Sequence, residues 1–342
     1  MIRYPKPLKK GDTIGIVATS SGVTGVFAKK LDYAKEQLKI LGYKTVENRY
    51  VKTQEKLASA SAQKRAIVFE NMYLDDSIAA IIPPWGGEFL MDMLPYLDFD
   101  ELKKAPAKWI MGFSDTSTLL FVLALNLNIA TAHGPNLLDF GNNKLDPSVI
   151  NSLEILNKKP NQEFKQESLK YYQREWLEVR EDSFPPYQLT EKVDWKILGN
   201  KDRVSFNGRI MGGNLDVICK LIGTRFDRVN RYLENNKKDG ILWYFESCNM
   251  SSADLYRTLW QMKMNGWFKY CNGVVFGRAD GYKDVRDFNL EDAYEKVFLD
   301  LEIPVVYDID LGHLPPQLVF INGAYGEIIV DHGKGEIIQK LI

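Results

Sequence analysis

Short apolar runs alternate with amphipathic segments along the N-terminal part of the chain. The runs have the length of buried strands and lie at 13–18, 44–46, 79–82, 109–111 and 129–133. Between them, apolar residues recur at helical spacing, at 26–41, 61–74, 88–97 and 119–125. Strands that alternate with helices in this way predict an α/β layer around a parallel sheet.

The chain changes character over residues 139–200, which are polar and contain four prolines. This composition predicts a crossing between domains with a long, lid-like loop. Beyond it, strands are predicted at 240–245, 273–277 and 304–307, and a closing hairpin at 327–341. Helices are predicted at 215–223, 251–264 and 290–299. We therefore expect an α/β protein of two domains: a parallel-sheet domain at 1–165, and a mixed α/β domain at 166–342 whose insertion spans about 166–200.

Composition excludes several classes of function. Of the 342 residues, 45% are hydrophobic and 26% are charged, which is typical of a soluble globular protein. The net charge of −1 gives no electrostatic reason to bind nucleic acid or an anionic membrane. No signal peptide and no apolar run of membrane-spanning length is found, and the three cysteines form no disulfide pattern. We expect a cytoplasmic protein that binds neither nucleic acid polymers nor membranes.

The stretch KWIMGFSDTSTLLFVLAL at 108–125 holds a candidate nucleophile. It passes from a strand through Gly112 and Ser114 into an apolar helix, the order found in a nucleophile elbow. Such a turn exposes the serine hydroxyl and directs the following backbone N–H groups toward a developing oxyanion. Thr116 replaces the second glycine of the G-x-S-x-G pattern, however. Taken alone, Ser114 and Asp115 before an apolar run favour the simpler interpretation of a helix N-cap.

Three histidines are available as a base for such a serine: His133, His313 and His332. His332 lies in the predicted hairpin turn, and His133 ends a strand, where structural histidines are common. His313 follows a strand, on a loop whose glycine and prolines fix its side chain beside an opening. The base needs a carboxylate to fix its tautomer and support the imidazolium. Glu246 ends an apolar strand, where an unpaired carboxylate would be costly, so it is the candidate.

Taken together, short segments along the whole chain resemble the LD-carboxypeptidase and microcin-immunity family of serine peptidases. The matching segments are KPLKKGDTIGIVATSS at 6–21, WGG at 85–87, GFSD at 112–115, HGPN at 133–136, GRIMGGNL at 208–215, WYFE at 243–246, VVFGR at 274–278 and DLGH at 310–313. Each is weak alone, but their order and spacing together are highly specific.

The resemblance implies a catalytic triad of Ser114, Glu246 and His313. It also implies an oxyanion hole formed by the backbone N–H groups of Gly87 and Asp115. The fold it implies has an N-terminal α/β domain that holds the serine and a C-terminal domain that supplies the glutamate and histidine across a cleft. Family members usually form homodimers. No metal and no cofactor is expected.

Within the family, residues 94–100 and the Trp-bearing insertion resemble the microcin-immunity branch. That branch cleaves the amide between an aminoacyl or peptidyl carboxyl group and a phosphoramidate-linked nucleotide. Candidate substrate contacts are Trp85 and Gly86 in the glycine-pair loop, and Trp176 and Trp195, whose rings either stack on a planar leaving group or cap the core. A murein tetrapeptide LD-carboxypeptidase is the alternative within the class. A non-catalytic small-molecule binding protein is the alternative outside it.

Overall fold

The computed structural model describes residues 2–180, 183–199 and 201–342. The chain divides into two compact units. Unit 1 comprises Met1–Pro160 and Glu175–Gln188, and unit 2 comprises Asn161–Arg174 and Leu189–Ile342. The predicted boundary after residue 165 falls close to the first of these divisions. The insertion expected at 166–200 is itself split, because its central part belongs to unit 1.

Unit 1 is built around a parallel sheet in the order β5-β4-β3-β1-β2. Its strands are β1 (Thr13–Ile16), β2 (Lys44–Glu47), β3 (Ile78–Ile81), β4 (Trp109–Gly112) and β5 (Thr131–His133). Its α-helices are α1 (Val26–Ile40), α2 (Ala62–Leu74), α3 (Phe99–Lys104), α4 (Thr116–Leu127) and α5 (Pro147–Leu156). Short 3-10 helices span Leu90–Tyr96 and Leu137–Gly141. The parallel α/β layer predicted from the alternating pattern is confirmed.

Helix α4 lies at the centre of unit 1. All of its residues except Asn126 are buried, and every residue of the preceding strand β4 is buried as well. A helix that is apolar on all sides gains its stability from burial on all sides. The unbroken apolar run at 119–125 therefore marks a core helix, and the turn before it is held rigidly.

Helix α5 was not predicted, since residues 139–200 were interpreted as loop. Asp146 is its N-cap and accepts a hydrogen bond from the Ser148 N–H at 2.9 Å, and Pro147 occupies the first turn. Val149 and Leu153 are among its buried residues. An aspartate followed by proline is a helix-start signal that the sequence did contain.

Unit 2 contains a mixed sheet in the order β6-β16-β15-β10-β11-β12-β13-β9, and β7 pairs with β8. Its strands are β6 (Glu163–Glu167), β7 (Tyr171–Tyr172), β8 (Glu191–Lys192), β9 (Lys196–Ile197), β10 (Arg203–Asn214), β11 (Ile241–Glu246), β12 (Cys271–Gly277), β13 (Val305–Ile309), β14 (Phe320–Asn322), β15 (Tyr325–Asp331) and β16 (Lys334–Lys340). Its helices are α6 (Leu215–Ile218), α7 (Val229–Asn236), α8 (Ser252–Met264) and α9 (Leu290–Phe298), with 3-10 turns at Cys219–Leu221 and Leu299–Leu301.

The hairpin and the helix at 251–264 that were predicted in unit 2 are confirmed, and the extent of another helix is corrected. The hairpin β15–β16 turns at His332 and Gly333, which both have positive φ. The Ser251 hydroxyl caps α8 by accepting the Asp254 N–H at 3.2 Å. The helix predicted at 215–223 is wrong in extent, because α6 ends at Ile218 and a 3-10 turn follows.

The central strands β10, β11, β12 and β13 run parallel, so their carboxyl ends share one edge of the sheet. Asn214 and Glu246 end the first two strands, and Arg278 and Asp310 directly follow the other two. Parallel sheets commonly present functional groups at this edge. None of the helices in the described parts of the chain is long and apolar enough to cross a membrane.

Candidate active site

Ser114 lies in the turn between β4 and α4 with a φ of +62°. This left-handed conformation is costly for a residue with a side chain, and the strain expected for a nucleophile elbow is present. The Ser117 N–H donates to the Ser114 carbonyl at 2.8 Å, which begins the helix at once. Asp115 occupies the N-cap position, but its side chain makes no capping hydrogen bond. Asp115 is therefore the N-cap residue by position only.

Gly86 packs directly against this turn. A Cβ atom at Gly86 would lie 2.8 Å from Ser114 Cβ, 2.9 Å from Ser114 Oγ and 3.0 Å from the Asp115 backbone nitrogen. Gly87 has a φ of +140° and would clash with the hydroxyls of Ser20 and Ser21 if it carried a side chain. The glycine pair therefore brings its backbone up to the serine turn, an approach that side chains at these positions would prevent.

The side chain of Asp115 is fixed next to the serine turn by hydrogen bonds that the sequence did not predict. Its carboxylate accepts the Ser20 hydroxyl at 2.5 Å and the Leu90 N–H at 2.8 Å. Burial raises the pKa of Asp115 above its ordinary value, against these hydrogen bonds. Within the described residues, the backbone N–H groups of Gly87 and Asp115 donate no hydrogen bond. They are thus available to a bound acceptor.

Glu246 and His313 form a buried pair in unit 2. Glu246 is 1% exposed, and its Oε2 lies 2.8 Å from His313 Nδ1. Gly312 allows this approach, because it has a φ of +97° and a Cβ there would lie 2.8 Å from Glu246 Oε2. A carboxylate on Nδ1 fixes the tautomer in which Nδ1 carries the proton, so Nε2 is the basic nitrogen.

The charge of Glu246 controls the protonation of His313. Burial is the largest single effect and lowers the pKa of His313, but the charge of the Glu246 carboxylate and the interactions with Glu246 and Cys248 together outweigh it. Hydrogen bonding to Cys248 and Glu246 acts in the same direction as the carboxylate. The pKa of His313 is therefore raised well above its ordinary value, as a neighbouring opposite charge requires.

Asp310 anchors the loop that carries His313. Its carboxylate accepts from Arg278 Nη1 at 2.9 Å, from Trp195 Nε1 at 2.9 Å and from the Leu169 N–H at 3.0 Å. Trp195 is 1% exposed, so its ring packs in the core and does not face a ligand. Of its two alternative roles, core packing is the one that this burial fits.

The remaining sequence candidates are spread over both units. Trp176 is 57% exposed, and Trp85 donates its indole N–H to the Ser21 carbonyl at 3.2 Å. His133 is buried with its ring 6.3 Å from that of Phe113, and His332 is exposed, with its Nδ1 2.6 Å from Asp331 Oδ1. In the part of the chain that the structure describes, no cluster of side chains is suited to hold a metal.

Comparison with models of known protein families identifies the family of this chain. Residues 14–134 match the model of the LD-carboxypeptidase N-terminal domain, and residues 207–328 match that of the C-terminal domain. The chain belongs to the LD-carboxypeptidase family. It is accordingly a serine-type carboxypeptidase, as the resemblance of its short segments implied.

Relatives within this LD-carboxypeptidase family cover nearly the whole chain. A Vibrio cholerae protein that bears a carboxypeptidase name is 27% identical, over 96% of both chains. A Bacillus subtilis protein named for murein peptide carboxypeptidase activity is 27% identical, over 94% of this chain and 89% of its own. The microcin C7 self-immunity protein of Escherichia coli is 24% identical, over 98% and 96%. Its structure superposes with a TM-score of 0.83 over 98% of both chains, which confirms the two-domain fold.

The contact between Gly86 and the serine turn yields a first prediction. We expect Gly86→Ala to lower kcat/KM of this LD-carboxypeptidase by at least about tenfold, because the added methyl group displaces Ser114 or the Asp115 N–H. Steady-state hydrolysis measured beside circular dichroism tests this. Gly11→Ala is the control for backbone strain, since Gly11 also lies in unit 1 and has a φ of +95°, but an added Cβ would meet no atom within 4 Å. Equal activity of Gly86→Ala and the wild type would contradict the prediction.

Proposed function

We propose that the protein hydrolyses the amide between an aminoacyl or peptidyl group and a nucleotide, with Ser114, His313 and Glu246 as its catalytic triad. The observation that carries the triad is the buried Glu246–His313 pair, 2.8 Å apart, in a family whose chemistry is that of serine carboxypeptidases. The strained Ser114 turn with Gly86 against it supports the choice of nucleophile.

Each residue has a defined part in this proposal. Ser114 Oγ attacks the scissile carbonyl carbon while His313 Nε2 takes the hydroxyl proton. Glu246 stabilises the imidazolium that forms, and the N–H groups of Gly87 and Asp115 donate to the oxyanion. The imidazolium then protonates the leaving nitrogen, whose bond to carbon breaks. Water activated by His313 hydrolyses the acyl-enzyme and restores the serine.

The choice of substrate rests on the relatives. The microcin C7 self-immunity protein has been solved with glutamyl sulfamoyl guanosine and with aspartyl sulfamoyl adenosine. The exposed ring of Trp176 supports a planar leaving group for this chain too. A murein peptide is the second candidate, favoured by the Bacillus subtilis relative. The non-catalytic alternative is not carried forward, because the family is one of enzymes.

A homodimer and a cytoplasmic location complete the proposal. The homodimer rests on the resemblance to family members, and the location rests on the expectation drawn from the sequence. Light scattering on the purified chain tests the first, and cell fractionation tests the second.

Active-site labelling tests the proposed nucleophile. A fluorophosphonate reacts with a serine whose base is in place, so we expect one label per chain, on Ser114. Ser114→Ala abolishes labelling, and His313→Gln slows it strongly. Ser251→Ala, which removes a serine at the N-cap of α8, labels like the wild type. A label on another serine, or turnover by Ser114→Ala, would sink the proposal.

The pH profile tests the role of Glu246. Because the base must be neutral, kcat/KM rises with pH as His313 loses its proton, and the raised pKa puts this limb above His313's ordinary value of 6.5. Glu246→Gln removes the largest of the effects that raise the pKa of His313. We expect the limb to move to lower pH and turnover to fall roughly several hundredfold. Unchanged turnover would mean that another group supports His313.

Trp176 is expected to select the substrate class. Trp176→Ala should lower kcat/KM on aspartyl sulfamoyl adenosine by about tenfold to a hundredfold, since base stacking contributes about 1–3 kcal/mol. Hydrolysis of a murein tetrapeptide should be unaffected. Trp260→Ala is the control, because Trp260 is similarly exposed, on α8 in unit 2. Equal losses on both substrates would contradict the selective role.

A further inference from the structure

Asn214 stands beside Glu246 at the edge of the mixed sheet. The two residues end β10 and β11 and are register partners across this parallel pair. Asn214 Nδ2 donates a hydrogen bond to Glu246 Oε1 at 2.8 Å, while Glu246 Oε2 contacts His313 Nδ1 at the same distance. The carboxylate is therefore held at both oxygens, by a different residue at each.

The orientation of the Asn214 amide is fixed by chemistry. Turning the amide over would bring Oδ1 against Glu246 Oε1, so that two acceptors would face each other. Asn214 is only 2% exposed, and within the described residues its Oδ1 is buried without a hydrogen-bond partner. An unsatisfied buried oxygen destabilises the fold, and an apolar side chain would avoid it. Among the residues that the structure describes, the hydrogen bond to Glu246 is what the Asn214 side chain gains in return.

We propose that Asn214 is a positioning residue of the Glu246–His313 pair. It favours the ionised form of Glu246, because its N–H bonds to the charged carboxylate. By occupying Oε1, it also directs Oε2 toward the imidazole. Asn214 acts only through Glu246 and touches no reacting atom. The inference rests on the proposed function, in which Glu246 supports His313 as the base.

Other titratable groups act on this pair from neighbouring elements. Asp216 on α6 interacts with both Glu246 and His313, and burial raises the pKa of Asp216 to about 6. Its carboxylate accepts the Cys248 N–H at 2.8 Å, and Cys248 in turn interacts with His313. Tyr244 on β11 interacts with Glu246. These groups remain in every Asn214 variant, so the ratio of variant to wild-type activity at each pH isolates the effect of position 214.

Two substitutions of nearly equal size separate positioning from packing. Asn214→Leu removes the donor at every pH, so we expect kcat to fall about tenfold with KM within about twofold, at a ratio to wild type that is flat with pH. Asn214→Asp places a second carboxyl group against Glu246, and the two share one proton. The protonated acid donates in place of the amide at low pH. The ratio of Asn214→Asp activity to wild-type activity therefore falls as the pH rises, because the shared proton is lost.

A measurement without substrate keeps the inference separate from the proposed function. In the intact protein with ¹⁵N-labelled histidine, the His313 Nδ1 proton should resonate far downfield, and Glu246→Gln should abolish that resonance. Asn214→Leu should shift or broaden it while circular dichroism is unchanged. This readout holds even for a protein that turns over neither aspartyl sulfamoyl adenosine nor murein tetrapeptide, an outcome that would defeat the proposed function alone.

The inference is overturned if Asn214→Leu leaves both kcat and the resonance as in the wild type. It is equally overturned if the Asn214→Asp ratio is flat with pH, since a structural role would not depend on a shared proton. Should Asn214→Leu fail to fold, the isosteric Asn214→Asp variant decides alone.

Discussion

The arrangement around His313 depends on one buried carboxylate, that of Glu246. Glu246 is 1% exposed, and an ionised carboxylate in that position is strongly unfavourable unless both oxygens are partnered. Asn214 and His313 supply the partners, and Gly312 gives the loop the conformation that brings His313 close. The same charge raises the pKa of His313 against burial. The contact that gives the Glu246 carboxylate its partner is therefore also the contact that raises the pKa of His313. It lies at the edge of the sheet where the parallel strands end.

In the first unit the constraint is steric rather than electrostatic. Ser114 adopts positive φ, and such a conformation persists only where surrounding contacts fix it. Gly86 closes one side of the turn, and a Cβ at Gly112 would lie 2.6 Å from Asn136 Oδ1 and 2.8 Å from Thr116 Cγ2. The carboxylate of Asp115 accepts hydrogen bonds from Ser20 and Leu90, which fixes the residue that follows Ser114 in the turn. The buried helix α4 on one side and the glycines on the other therefore hold the backbone of Ser114 in this conformation.

The sequence predicted those elements whose apolar residues follow a clear period. Strands β1, β3, β4 and β11 are buried on both faces and stood out as continuous apolar runs. Strand β10 was not predicted, because Gly208, Gly212 and Gly213 interrupt its pattern. Candidate site residues at strand ends were found by chemistry and family resemblance. Asn214 and the Ser20–Asp115 bond were not, because strand register and contacts between distant residues place them.

The two tryptophans of the polar segment show where sequence pattern stops being informative. Both occur among charged and amide residues, and their neighbourhoods gave no reason to treat them differently. Trp195 is buried, and its indole N–H donates to Asp310, a residue more than a hundred positions away that anchors the loop of His313. Trp176, in contrast, leaves more than half of its surface exposed. The stacking proposed for a planar leaving group depends on this exposed ring, and on its place in the chain rather than on exposure alone, since Trp260 is exposed to a similar degree.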